Sequence, residues 1–127
     1  MLRLFRKSEE KLALEADAQA EINRLRALSG EELAVLLLPG LGPEAAGSGR
    51  NVRGQQLCEY LLRDFPGLGQ TKPLQLMAPV RRALERLEEA QLVSSMQYER
   101  SPLWQITSLG TSALADGTTE QLLVGAS

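Results

Sequence analysis

The tetrapeptide Pro-Gly-Leu-Gly occurs twice in this chain, beginning at Pro39 and at Pro66. Proline cannot continue a helix, because its ring removes a backbone donor and clashes with the preceding turn, and glycine favours the chain reversal that follows. The surroundings of the two copies do not match over a longer span, so they are helix stops and not a structural repeat. A chain of 127 residues with these stops is expected to form one compact unit around one core, with perhaps an appended helix.

Two helices are predicted before the first stop. From Ser8 to Leu28 apolar residues recur at spacings of three and four, which places them on one helical face, with Ser8 as the cap. The sequence 29-SGEE-32 is a capping box ahead of the apolar run LAVLLL, so a second, short and buried helix follows. The face of the first helix has two open interpretations, packing within one chain or dimerisation with a second copy. The residues that would join two copies are Leu14, Ile22, Leu25 and Leu28.

The middle of the chain is predicted to hold a loop and two more helices. Residues 39–50 are rich in glycine and proline without periodicity, which is typical of a loop. One helix is expected from about Asn51 to Phe65. Another is expected from Pro79 to about Gln91, because proline suits the first helical position. The inner face of this last helix is formed by Val80, Ala83, Leu84, Leu87 and Ala90, and its outer face by Arg81, Arg82, Glu85, Arg86 and Glu89.

The C-terminal third of the chain changes to a strand pattern. Two strands, Leu92 to Tyr98 and Leu103 to Thr107, are predicted on either side of the turn 99-ERSP-102, with Trp104 and Ile106 directed inward. Thr107 or Ser108 is expected to cap a helix through Leu114. The tail is expected either to fray or to dock through Leu122, Leu123 and Val124.

Composition excludes several classes of function. The chain has no histidine, so the commonest general base and transition-metal ligand are absent, and no Ser-His or Cys-His nucleophile pair exists. A single cysteine, Cys58, excludes an internal disulfide and a zinc site built from thiolates, and it fits a reducing cytoplasm. The longest apolar run, Leu33 to Leu38, is too short to span a bilayer. We expect neither an enzyme nor a metal, a cofactor or a membrane partner.

Two segments together with the order of the elements indicate a known family. Residues 80-VRRALERLEEAQLV-93 and 103-LWQITSLGTSAL-114 resemble the winged helix-turn-helix of bacterial transcriptional regulators. In that family the recognition helix commonly ends in Leu-x-x-x-Gly-Leu-Val and the second wing strand leads into Leu-Thr-x-x-Gly. The resemblance covers about residues 51 to 115. Gln91 stands where the family usually has glycine, and the wing turn has a single arginine, Arg100.

The fold class expected from this resemblance is mainly α with a small β-hairpin. A winged helix-turn-helix would occupy residues 51–116. Two extra N-terminal helices, within residues 1–38, would provide packing or dimerisation. The Gly/Pro-rich loop at 39–50 would join the two parts, and residues 117–127 would form a C-terminal tail.

The function expected from this resemblance is binding of double-stranded DNA by a cytoplasmic transcription regulator, with the helix from about Pro79 to Gln91 in the major groove. Residues 50–107 carry eight basic and six acidic side chains and are the net-positive part of a chain whose formal net charge is −2. The residues expected to contact DNA are Thr71, Lys72, Gln75, Arg81, Arg82, Arg86 and Arg100.

A second class of function stays open at this point. Winged helices also serve as protein-interaction or scaffold modules, because a fold does not fix a function. The sequence pI of about 5.2 and the carboxylates of Glu85 and Glu89 on the outer face of the proposed recognition helix favour a protein partner over DNA.

Overall fold

The computed structural model describes residues 2–45, 51–69 and 71–126, with side chains described between residues 9 and 125. Within these ranges the chain is mainly helical and has one three-stranded antiparallel sheet. The helices are α1 (Leu2–Ala27), α2 (Gly30–Leu37), α3 (Gly54–Leu61), α4 (Met77–Glu89), α5 (Ser108–Asp116) and α6 (Thr119–Ala126). The strands are β1 (Val52–Arg53), β2 (Val93–Tyr98) and β3 (Ser101–Ile106). Short 3-10 turns follow α2 (Leu38–Leu41) and precede α4 (Pro73–Leu76).

The sheet joins segments that are far apart in the sequence. Its order is β1-β3-β2, so β3 lies in the middle. β2 and β3 form a hairpin as predicted, with Val93 opposite Ile106 at its base. The predicted turn at residues 99–102 is too long, because Ser101 and Pro102 already pair with β2 and only Glu99 and Arg100 lie between the strands. On the other side of β3, Val52 of β1 pairs with Trp104, and both side chains are buried. The inner face of the sheet therefore closes one side of the core.

The core is almost entirely aliphatic, as the low aromatic content predicts. α2 packs along α4, α3 packs on both the 3-10 turn at Pro73–Leu76 and α4, and the sheet covers the remaining side. The largest fully buried side chains are Ile22, Leu25, Leu33, Leu37, Leu38, Leu41, Leu57, Leu76, Val80, Leu84, Leu87 and Leu92. The inner face predicted for the helix that begins near Pro79 is confirmed at four of its five positions, and Ala90 is partly buried against the same core.

α1 differs from its prediction in where it begins, and its apolar side chains differ in how far they are buried. It begins at Leu2, so Ser8 lies inside the helix and does not cap it, because nothing between residues 2 and 7 interrupts a helix. Ile22 and Leu25 are buried in the core of the single chain, while Leu14 and Leu28 are half-buried. Packing within one chain is therefore the correct interpretation for Ile22 and Leu25.

Two further helices have different bounds from those predicted. The helix expected from about Asn51 to Phe65 begins only at Gly54, because Val52 and Arg53 form strand β1. It ends at Leu61, since the N–H groups of Leu62 and Arg63 donate to carbonyls only three residues earlier. α4 begins at Met77, two residues before Pro79. Pro79 is still tolerated, because the first four N–H groups of a helix have no partner within it.

The tail and α2 also refine the sequence predictions. Residues Thr119–Ala126 form α6, which docks through the buried Leu123, whereas Val124 is 63% exposed. α2 is not fully buried, because Leu36 is 42% exposed. Of the predicted loop at 39–50, residues 46–50 lie outside the described part of the chain.

Two of the three predicted helix caps are confirmed, those of α2 and α5. Ser29 Oγ accepts the N–H of Glu32 at 3.1 Å, and Glu32 Oε1 accepts the N–H of Ser29 at 3.1 Å. This second hydrogen bond stabilises the ionised carboxylate and lowers the pKa of Glu32. Thr107 caps α5, because its Oγ1 accepts the N–H of Gly110 at 3.0 Å.

The junction between α4 and β2 is a Schellman motif with an unusual residue. The N–H of Leu92 donates to Leu87 O and the N–H of Gln91 donates to Glu88 O, both at 2.9 Å, which is the hydrogen-bond pattern of that motif. Gln91 has a φ of 63°, in the left-handed region that glycine adopts at no steric cost. Gln91, which stands where the winged-helix family usually has glycine, therefore adopts the left-handed conformation that glycine favours.

Gln91→Gly should raise the free energy of unfolding by about 0.5 to 1 kcal/mol, because glycine relieves the left-handed strain. The matched control is Gln97→Gly in β2, where the backbone is extended and glycine should lower stability by about the same amount. Urea unfolding followed by the fluorescence of Trp104 measures both. A destabilised Gln91→Gly protein would contradict the assignment of strain to this position.

Candidate nucleic-acid interface

The N-terminal half of α4 presents two arginines to solvent. Arg81 and Arg82 are both exposed. A helix beginning at Pro79, as predicted, would have them in its first turn, but α4 begins at Met77, so they lie in its second turn. Arg81 Nε lies 3.5 Å from Glu85 Oε1 in an ion pair whose side chains are 76% and 55% exposed. Such exposed pairs contribute little, so the Glu85 carboxylate does not hold Arg81 firmly. The Arg82 side chain makes no ion pair or hydrogen bond with any other described residue.

Arg86 lies further along α4 and is held inside the fold. Its side chain is 34% exposed and makes an ion pair with Glu31 in the first turn of α2 and a second with Glu89 Oε2 at 3.4 Å. Arg86 therefore forms a bridge between α2 and α4, and its contact with DNA stays a prediction. Sequence reasoning missed this partner, because Glu31 and Arg86 are far apart along the chain.

The bridge between Arg86 and Glu31 should stabilise the fold more than the exposed pair on the same helix. A double-mutant cycle with Arg86→Gln and Glu31→Gln is expected to give a coupling energy of up to about 1 kcal/mol. The matching cycle with Arg81→Gln and Glu85→Gln should give at most about 0.5 kcal/mol. Chemical unfolding of the variants measures both couplings, and equal values would show that Arg86 is as free as Arg81.

Two of the three residues expected to contact DNA near the 3-10 turn at Pro73–Leu76 are hydrogen-bonded to α1. Lys72 Nζ donates to Gln19 Oε1 at 3.0 Å, and the side-chain amides of Gln75 and Gln19 exchange hydrogen bonds at 3.1 and 3.3 Å. Thr71 is exposed in the turn before them. Lys72 and Gln75 thus have hydrogen-bond partners within the chain. Of the three residues, only Thr71 makes no side-chain hydrogen bond with the described part of the chain.

The hairpin is fixed to α4 by one carboxylate. Glu88 Oε2 accepts the backbone N–H of Ser95 at 3.0 Å and its hydroxyl at 2.6 Å, so β2 is held against the end of the helix. The tight turn follows, with Glu99 at a φ of 56° and Arg100 exposed beside it. The distance between the helix and the turn is therefore set by hydrogen bonds and not only by packing.

A pocket of about 290 Å³ lies between α4 and the hairpin. Arginines from three separate segments line it, namely Arg53 of β1, Arg81 of α4 and Arg100 of the turn. Its lining contains no acidic side chain. Sequence reasoning missed Arg53, because only the pairing of Arg53 with Leu103 brings it beside the turn. The other lining residues are Gly54, Gln55, Met77, Val80, Leu84, Ser101, Pro102 and Trp104.

The remaining chemistry of the described residues is sparse. Cys58 is buried, and this burial raises the pKa of its thiol to about 12, so at neutral pH it stays protonated and unreactive. In the described ranges no group of three cysteine, aspartate or glutamate side chains could hold a metal ion. Nor does any helix in those ranges have the length and apolar character needed to cross a membrane.

The three comparisons with known proteins add no relative to this picture. No family model, no curated protein and no solved structure matched the chain. The function of the chain is therefore inferred from the residues and the geometry of the face formed by α4, β1 and the hairpin turn.

Proposed function

We propose that the chain is a winged helix-turn-helix protein that binds double-stranded DNA, with α4 in the major groove and the hairpin as the wing. The element order supports this proposal: α2, β1, α3, α4 and then a hairpin whose second strand pairs with β1. α3 and α4 would be the helix pair, and α4 the recognition helix. A cytoplasmic role in transcription regulation belongs to the same proposal.

One observation carries the proposal. Arg53, Arg81 and Arg100 converge on one pocket from three segments, and Arg82 is exposed next to Arg81 on α4. Together with Arg82, these arginines would supply a local cationic face in a protein whose net charge is −2. Arginine is suited to such a face because its planar fork matches phosphate oxygens and the O6 and N7 atoms of guanine.

The exposed carboxylates of α4 do not remove this positive face. Glu85 lies beside Arg81 and Glu89 lies beside Arg86, so each carboxylate is next to a cation on the helix. Both lie closer than Arg81 to the C-terminal end of α4, whereas a recognition helix contacts bases with its N-terminal residues. Arg82 keeps its full charge for an external partner, since it has no ion pair among the described residues.

Titration of a mixed-sequence duplex at 50 and 200 mM salt tests the proposal. Each phosphate neutralised contributes about −0.9 to the slope of log affinity against log salt, so contacts by four arginines would weaken binding roughly 100-fold across this range. Folded protein that binds no duplex at 50 mM salt, or that binds with an affinity independent of salt, would overturn the proposal.

We further propose that two copies of the chain pair through the part of α1 that precedes the buried Ile22 and Leu25. Leu12 is 65% exposed and Leu14 is half-buried, while Ile22 and Leu25 are already used in the core. An isolated helical segment of this length is marginally stable in water, and pairing with a second copy would stabilise it. Sedimentation equilibrium of the wild type and of Leu12→Lys tests this part, and two monomeric proteins would refute it.

A second candidate function is a protein-interaction module, and the outer face of the sheet favours it. Met96 and Tyr98 are 53% and 51% exposed on β2, an edge strand, and register places Leu103 of β3 on the same face. Exposed apolar groups next to an edge strand are typical of surfaces that bind another chain. A folded wild type that binds no duplex at low salt would favour this candidate over DNA binding.

A further inference from the structure

The pocket between α4 and the hairpin differs in its charge from three other surface pockets of the described residues. Pockets of about 400, 250 and 230 Å³ elsewhere on the chain each include at least one glutamate in their lining, whereas this one has three arginines and no carboxylate. We propose that it binds a small organic anion, in which a phosphate or carboxylate group is attached to a flat apolar body. This role goes beyond contact with DNA and does not require it.

The anionic group of the ligand is inferred from the rim of the pocket. Arg53, Arg81 and Arg100 line it from a strand, a helix and a turn, so the pocket takes one arginine from each of three separate segments. The first two residues of α3, Gly54 and Gln55, also line the pocket. N–H groups at the start of a helix have no partner within it and attract anions, which adds a donor set to the three guanidinium groups.

The apolar body of the ligand is inferred from the pocket's inner wall. Met77, Val80 and Leu84 of α4 line one side, and Trp104 and Pro102 of β3 line the other. Such a slot between an aliphatic helix face and an aromatic ring would be poorly filled by a lone phosphate ion. A volume of about 290 Å³ is at the lower end of the range for small-molecule sites, so the ligand should be small.

Occupancy of the pocket has a consequence for the proposed DNA binding. Arg81 and Arg100 would contact either the small anion or the DNA, so the two ligands should compete. This regulatory consequence rests on the proposed function. Occupancy itself is measured without DNA, so failure of one idea is distinguishable from failure of the other.

Trp104 provides a built-in reporter, because it is the single tryptophan of the chain and lines the pocket. We would titrate the full chain with three compounds. Phenyl phosphate presents both parts of the ligand, inorganic phosphate presents only the anionic part, and phenol presents only the apolar part. Phenyl phosphate should change the fluorescence saturably and bind at least about tenfold more tightly than either fragment. Equal binding of inorganic phosphate, or no saturable change with phenyl phosphate, would overturn the proposal.

Single substitutions localise the binding. Arg53→Ala and Arg100→Ala should each weaken phenyl phosphate binding about tenfold, the effect of losing one charge-assisted hydrogen bond. The matched control is Arg26→Ala, which removes an exposed arginine of α1 that does not line the pocket. Circular dichroism verifies that each variant is folded. Equal loss in the control, or no loss in either pocket variant, would refute the assignment.

Discussion

Gly110→Ala is expected to lower the free energy of unfolding by about 3 kcal/mol and the melting temperature by roughly 10 °C. A Cβ atom at this position would lie well inside van der Waals contact with the carbonyl oxygen of Leu92 and 2.7 Å from Ile106 Cγ1. The carbonyl cannot move aside, because it accepts the N–H of Thr107 at 3.0 Å. The single tryptophan reports urea unfolding, and calorimetry gives the melting temperature.

The matched control for this change is Gly125→Ala in α6. A Cβ atom there meets nothing within 4 Å, and alanine favours a helix over glycine, so stability should be unchanged or rise by up to about 1 kcal/mol. If Gly110→Ala is as stable as the wild type, α5 does not pack against Leu92 as the structure has it.

The close approach at Gly110 explains why the two segments that resemble winged-helix regulators belong together. The Thr107 hydroxyl donates to Gln91 O at 2.7 Å, so the strand-to-helix junction is fastened to the helix-to-strand junction. Gly110 allows α5 to lie directly on Leu92, the residue after the left-handed Gln91. The two sequence patterns are therefore the two sides of one contact, and that contact orients α4 relative to the hairpin.

The double substitution Arg81→Ala/Arg82→Ala should weaken binding to a DNA duplex by about 100-fold at low salt. Each arginine would contribute a contact of ~1 to 3 kcal/mol to a base or phosphate, and the salt slope should become shallower by about 1.8. Fluorescence anisotropy of a labelled duplex at several salt concentrations measures both quantities. Because both side chains are exposed, the change should cost little stability.

The control for this double substitution removes two cations elsewhere. Lys11→Ala/Arg26→Ala changes the net charge by the same amount on the exposed surface of α1, away from the pocket formed by α4 and the hairpin. It should leave duplex affinity nearly unchanged. Equal losses in the two double variants would mean that duplex binding follows net charge alone and that α4 has no specific part in it.

Local signals in the sequence predicted the elements that depend on neighbouring residues. The capping box at Ser29 and the cap at Thr107 are confirmed, because both are satisfied within three residues. The hairpin and the inner face of α4 were predictable from periodicity for the same reason. Strand β1 was not, because two residues show no alternation and Val52 is fixed only by its pairing with Trp104.

The candidate site was predictable only in part, and tertiary contacts account for the difference. Arg81 and Arg100 come together in one pocket, but Arg86 bridges to Glu31 and Lys72 bonds to Gln19. These partners lie more than fifty residues away in the sequence, so a helical-face argument treats the cations as free. Arg53 was overlooked for the opposite reason, because its place beside the hairpin depends on the strand that was missed.

Chemical-shift mapping with a DNA duplex tests most directly whether the N-terminal half of α4 and the hairpin turn form one DNA-binding face. In a titration of ¹⁵N-labelled protein at 50 mM salt, we predict the largest amide shift changes at residues 77–83, 99–101 and 53–55, apart from Pro79, which has no amide proton. Residues 9–20 of α1 and 119–125 of α6 should be nearly unaffected. Changes confined to α1 or α6, or a spectrum of folded protein that does not respond to the duplex, would contradict the account.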